Sequence, residues 1–166
     1  MIVKTFELSK KENLNNSIFL LYGVNEGFKN QIIERYFIEG FKGNIERYEE
    51  NEVLNNDDFI SSLMNKSLFD NEKLIIISRL SDKILKIIEI ILEKKISGIK
   101  LILNSKSLDK KSKLRNFFEK SKGLVCIPFY EDDKKTLISL ANSFFQSKKI
   151  LISYEAINAL IDKCNG

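Results

Sequence analysis

The sequence contains no histidine. That removes histidine-based triads, the commonest general acid-base side chain and most mixed zinc sites. Cysteine is nearly as scarce: Cys126 lies in an apolar run and Cys164 near the last residue, too few and too far apart for a disulfide framework or a four-cysteine metal site. Cys126 therefore reads as a buried, inert thiol. No apolar run approaches the ~18 to 20 residues of a membrane span, and the opening MIVKTFELSKKE lacks the apolar centre of a signal peptide. The expectation is a soluble, cytoplasmic protein with no metal, no cofactor and no membrane partner.

What is present suits a packed domain. The chain of 166 residues is 43% hydrophobic and 30% charged, the balance of an ordinary folded protein, and is long enough for one sizeable domain or for one domain and the start of a second. The net charge of +4 hides an asymmetry: Lys106 to Lys122 holds seven basic and two acidic residues, whereas Glu46 to Asp58 holds six acidic residues and one arginine. Such polarity orients partners or simply solvates two faces.

Apolar, β-branched runs at Ile18 to Tyr22, Lys73 to Ser78, Ile99 to Leu103 and Leu124 to Phe129, with a weaker one at Asn44 to Glu50, predict five strands. Helical spacing lies between them, in Phe28, Ile32, Ile33, Tyr36 and Phe37, then Phe59, Ile60, Leu63 and Met64, then Ile84 to Ile91, then Leu114, Phe117 and Phe118. Alternation of this kind implies a three-layer α/β fold with a parallel sheet. The first, third and fourth strands are apolar on both faces, while the second is polar and the fifth contains Pro128, so the second and fifth belong at the edges. The order 5-1-4-3-2 of P-loop-ATPase-like (AAA+-like) proteins meets that condition, and a flavodoxin-like 2-1-3-4-5 fits almost as well. From Asp133 onward, Thr136 to Gln146 and a helix opened by Ser153 and Glu155 predict the start of a helical domain. The expected division is 1–132 and 133–166, the second domain being only begun.

Residues Ile18 to Asn30, IFLLYGVNEGFKN, are laid out as a strand, a loop and a helix, like a phosphate-binding loop whose key residues are replaced. The working loop, GxxxxGK[ST], needs a second glycine so that backbone N–H groups can close on phosphates, then a lysine and a magnesium-binding hydroxyl. Counted from Gly23, Lys29 keeps the lysine position, but Phe28 replaces the glycine and Asn30 the hydroxyl. Two readings stand: a nucleotide-binding architecture without turnover, and an ordinary strand-to-helix turn in which the lysine falls by chance.

Leu68 and Phe69 sit in a polar frame of Lys66, Ser67, Asp70 and Asn71 between a helix and the strand that begins near Leu74. At 100° per residue Leu68 extends the Ile60/Met64 stripe and Phe69 points off it. The pair is either a staple that packs the helix end on the sheet or an exposed anchor for a partner's pocket. Lys110, Lys111, Lys113 and Arg115, opposite Leu114, Phe117 and Phe118, form a basic surface that is either solvated or in contact with phosphates or another subunit.

In FLLYGVNEGF, SLFDNEKLIIISR, LILNSKSLDKKSKLRNFFEKS and LVCIPFYEDD, taken in order and spacing, the chain resembles the delta subunit of the bacterial DNA polymerase III clamp loader. The resemblance runs from about Ile18 to the last residue. It implies an ATPase-like fold that binds no ATP and has no catalytic residue, in a subunit of a DNA-directed DNA polymerase holoenzyme. It also implies partners: the sliding clamp, other loader subunits and primer-template DNA. In that family the Leu-Phe pair enters a hydrophobic pocket of the clamp and favours the open ring, which assigns the anchor role to Leu68 and Phe69 and makes Lys66, Ser67, Asp70 and Asn71 its polar rim. Two other classes remain: a divergent P-loop ATPase in which Lys29 still binds phosphate, and a receiver-like module. A receiver would carry an acidic phosphoacceptor after the third strand, where this chain has Ser78 and Arg79 and no carboxylate before Asp82.

Overall fold

The computed structural model describes residues 1–4, 7–8, 14–64 and 72–164. Five strands form one parallel sheet: β1 (Ile18–Gly23), β2 (Asn44–Glu49), β3 (Lys73–Ser78), β4 (Ile99–Asn104) and β5 (Val125–Phe129). Their order is β2-β3-β4-β1-β5, which is the 5-1-4-3-2 arrangement and excludes the flavodoxin-like one. The three inner strands are nearly closed to solvent because each exposes neither face, and the polar β2 sits at an edge, half-exposed.

Side chains of alternate parity feed two cores. On one face Phe19, Leu21, Ile76, Ile102 and Ile127 pack against helix α1 (Glu26–Ile33) and its π-helical continuation Glu34–Ile38, through Ile32, Ile33 and Phe37. On the other, Leu20, Ile75, Ile77, Leu101 and Leu103 meet four helices, α2 (Glu50–Leu54), α3 (Phe59–Met64), α4 (Leu85–Glu93) and α5 (Lys113–Lys120). Each fully buried aliphatic side chain contributes roughly 1.5 to 3 kcal/mol. Cys126 belongs to this second core, and burial pushes its thiol up to about 12, so it is inert at neutral pH.

Two details at the margins of the sheet depart from the sequence expectation. The second strand ends at Glu49 because Glu49 caps α2: its carboxylate accepts the Glu52 N–H, and the Glu52 carboxylate accepts the Glu49 N–H at 2.6 Å. The fifth strand has a neighbour on its outer side, since Val3 N–H donates to the Cys126 carbonyl and Cys126 N–H to the Met1 carbonyl, both at 2.9 Å.

These elements belong to a unit spanning Met1–Phe129; a second unit spans Tyr130–Gly166. It holds α6 (Lys134–Ser147), capped by the Asp133 carboxylate on Thr136 N–H, and α7 (Tyr154–Cys164), whose Ala156 N–H donates to Ser153 Oγ. Lys134 reaches Asp162 across the pair at 3.1 Å. Among the described residues no helix is long and apolar enough to cross a membrane.

Candidate functional site

Helix α1 follows β1 on one face of the sheet and α5 follows β4 on the other, so the chain leaves these two neighbouring strands in opposite directions. In an open α/β sheet this switch point, at the carboxyl ends of the strands, is where ligands bind. Here the two loops are tied together: Gly23 N–H donates to the Lys106 carbonyl at 3.2 Å, and Ser105 N–H to the Leu21 carbonyl at 2.9 Å. Ser105 is itself buried and its hydroxyl donates to the Leu80 carbonyl after β3.

Lys29 fills the crevice between those loops. It is 0% exposed, and its ammonium donates to Glu26 Oε1 at 2.8 Å and to the Ser105 carbonyl at 2.5 Å. A buried ammonium is tolerated only when paired and hydrogen-bonded, and both conditions are met from within the chain. In the first turn of α1, Asn25 Oδ1 accepts Phe28 N–H at 3.0 Å and the Asn25 carbonyl accepts Lys29 N–H at 3.0 Å. Phe28 is half-buried on the α1 face, its ring edge-on to Phe129 with centroids 5.6 Å apart. Asn30 is exposed on α1. Gly23 closes the strand at φ +131°, where a Cβ would lie 1.9 Å from the Phe129 carbonyl oxygen. The four positions singled out as a degenerate phosphate loop thus divide: Gly23 and Lys29 knit the crevice shut, while Phe28 and Asn30 stand outside it. A cavity of about 470 Å³ lined by Ile91, Lys95, Ile96 and Lys122, among others, opens beside β1 and β4 at their amino-terminal ends, away from the switch point.

Leu68, Phe69 and the rim Lys66, Ser67, Asp70 and Asn71 lie outside the described residues. The elements on either side are placed. Helix α3 buries Phe59 and Leu63, and its last residue, Met64, is 51% exposed. On the far side, Gly43 approaches the Glu72 carbonyl so closely that a Cβ would fall 2.1 Å from its oxygen.

The basic group is smaller than the sequence suggests. Lys110 and Lys111 are exposed in the turn before α5, and Lys113 is exposed in its first turn. Arg115 is not part of that surface: its guanidinium donates to Glu119 at 2.8 Å and to the Leu108 carbonyl at 3.2 Å, and lies over the Tyr22 ring at 5.0 Å. Helical spacing placed it opposite the apolar stripe, but its long stem folds back to the strand ends.

Two carboxylates outside the sequence-derived site organise the same end of the sheet. Glu50, buried at the start of α2, accepts from the Ser81 amide at 2.7 Å and from the Ser81 hydroxyl, joining β2 to the turn after β3. Asp82 reaches over to α5, accepting from Ser112 Oγ at 2.6 Å and from the Lys113 and Leu114 amides at 2.9 and 3.0 Å. With Ser112 Oγ taking Arg115 N–H and the Ser112 carbonyl taking Asn116 N–H, all four leading amides of α5 are satisfied. Proximity of Asp82 to an N-cap serine thirty residues away left no periodic signal, and the acidic run containing Glu50 read as a solvated face.

The Ser112 hydroxyl bond, helped by the two amides and opposed by partial burial, holds the Asp82 carboxyl below the ordinary carboxylate range. A carboxyl whose pKa is lower folded than unfolded stabilises above its unfolded value, about 3.9, and the contribution fades as pH falls through the folded one. Asp82→Ala is therefore expected to cost about 1 kcal/mol at pH 7, the usual worth of such a cap. In urea unfolding at a series of pH values the gap from the parent protein should close in the acid range; a gap that stays constant into strong acid would contradict this role.

Sheet order, switch point and helix placement together define a P-loop-like α/β fold of the ATPase kind. Among solved structures, the chain is similar to the Bacillus subtilis DNA clamp loader delta protein (YqeN), with a TM-score of 0.59 and 15% identity over 94% of this chain. It is also similar to the Walker-type ATPase PABY2304 of Pyrococcus abyssi, with a TM-score of 0.52 and 14% identity over 95% of this chain. The chain spans 51% of the first and 62% of the second. At these identities the likeness is one of fold. No protein-family model matches the chain, and no curated protein matches it in sequence.

Proposed function

We propose that this chain is a clamp-loader delta-like subunit that binds a sliding clamp and helps to open it for loading on primed DNA, without turning over nucleotide itself. Residues 1–132 form its ATPase-like domain and 133–166 begin a helical one. Leu68 and Phe69, with Lys66, Ser67, Asp70 and Asn71 around them, carry the clamp contact; Lys110, Lys111 and Lys113 are the surface offered to primer-template DNA or to another loader subunit. The observation that carries the reading is a crevice filled by the chain's own Lys29 in a fold shared with a clamp loader delta protein.

Equilibrium titration with a fluorescent ATP analogue tests the nucleotide half of the proposal. No saturable binding up to millimolar analogue is the expected result. Saturable micromolar binding would move the chain to the divergent P-loop ATPase reading, which the likeness to a Walker-type ATPase keeps in play.

A further inference from the structure

On the reading that the crevice rejects phosphates, Phe28 and Glu26 are the two candidate causes, and their surroundings differ. Phe28, which stands at the glycine position of a working loop, has its ring drawn toward Phe129 and into the core on the α1 face. Glu26 is the group that meets the charge. Its carboxylate sits in the first turn of the eight-residue helix α1 and lies 2.8 Å from the Lys29 ammonium, with Glu26 still 48% exposed and Lys29 0%. Electrostatically it stands where an anionic ligand would, against the positive end of the helix and a buried cation.

We infer that the Glu26 carboxylate is an internal substitute for a phosphate, an autoinhibitory contact that holds Lys29 and keeps polyphosphates out. The inference rests on the non-hydrolysing reading of the same crevice and adds its cause. Among the described residues Lys29 has two acceptors, Glu26 Oε1 and the neutral Ser105 carbonyl. Removing the negative charge while keeping the side-chain oxygen, as Glu26→Gln does, leaves a buried ammonium among neutral acceptors alone, a site where an outside anion supplies the missing charge compensation. Because Glu26 is half-exposed, solvent reaches the place its carboxylate occupies.

The test uses the full chain and inorganic pyrophosphate, at constant ionic strength, followed by calorimetry and by the shift in thermal unfolding. Glu26→Gln should bind pyrophosphate at least tenfold more tightly than the parent protein, and adding Lys29→Met should erase the gain. Phe28→Ala, with Glu26 intact, should gain nothing. A folded Glu26→Gln protein with no gain overturns the inference. So does a pyrophosphate-binding Phe28→Ala protein, a result that stands even where Glu26→Gln does not fold. Nucleotide binding by the parent protein would defeat the proposed function instead, so the two failures are distinguishable.

Discussion

Replacing Leu68 and Phe69 together with alanine is expected to abolish binding to the sliding clamp and to leave the unfolding free energy within about 0.5 kcal/mol, the usual range for surface positions. The pair supplies roughly 3 to 6 kcal/mol gross when it leaves water, so its loss should weaken the complex by about two to four orders of magnitude. A micromolar complex needs about 8 kcal/mol net, which two side chains do not reach once ordering is charged against them. The rim of Lys66, Ser67, Asp70 and Asn71 is therefore expected to contribute as well. Ring opening demands more than affinity: the contacts must be better with the open clamp than with the closed one, since equal binding shifts nothing. Calorimetric titration of clamp into both proteins, beside urea unfolding of each, checks the prediction. Unchanged affinity removes the anchor, and a loss of several kcal/mol in stability would mark the pair as a staple within the fold.

The second large effect is predicted at Gly23. Its φ of +131° is a region that L side chains rarely adopt, and a Cβ there would meet the Phe129 carbonyl oxygen at 1.9 Å and its carbon at 2.6 Å. Neither atom can yield, because Phe129 is the register partner of Gly23 in the β1-β5 ladder. Strain of about 1 to 3 kcal/mol and overpacking of similar size add up to much of a domain's total stability. Gly23→Ala should accordingly unfold at far lower denaturant or fail to accumulate folded. Gly40 is the control: its φ is +77°, but a Cβ would meet nothing within 4 Å, so Gly40→Ala should cost only about 1 kcal/mol. Equal losses for the two substitutions would refute the argument.

The fold was legible wherever burial imposed a pattern. Strands closed on both faces had to be apolar throughout, so Ile18 to Tyr22, Lys73 to Ser78 and Ile99 to Leu103 announced themselves as inner strands, and the polar NIERYEE run as an edge. Helix α2 was not legible, because its cap is Glu49 in place of the usual serine, threonine or aspartate, and its five residues are too few for periodicity. The candidate site was half legible. Counting from Gly23 located Lys29 and the replacements at Phe28 and Asn30 but passed over Glu26, since spacing identifies a position and says nothing of the partner its charge finds. Glu26 acts through a bond within one helical turn, and Ser105 lies seventy-six residues away from Lys29. Arg115 is the converse case: helical spacing puts this long cation on the outward side of a helix and says nothing of its bonds to Glu119 and the Leu108 carbonyl or its place over the Tyr22 ring.

The backbone of Met1 and Val3 around Cys126 bears on how copies of this protein meet one another. A parallel sheet invites strand addition at its margins, and at one margin the amide and carbonyl of Cys126 are already engaged. The opposite margin, β2, presents Glu46, Arg47 and Glu49, with the two carboxylates further committed to Tyr48, Lys73 and Arg79. An incoming strand would have to desolvate charges to extend the ladder. Growth of the sheet from molecule to molecule is thereby discouraged at both ends.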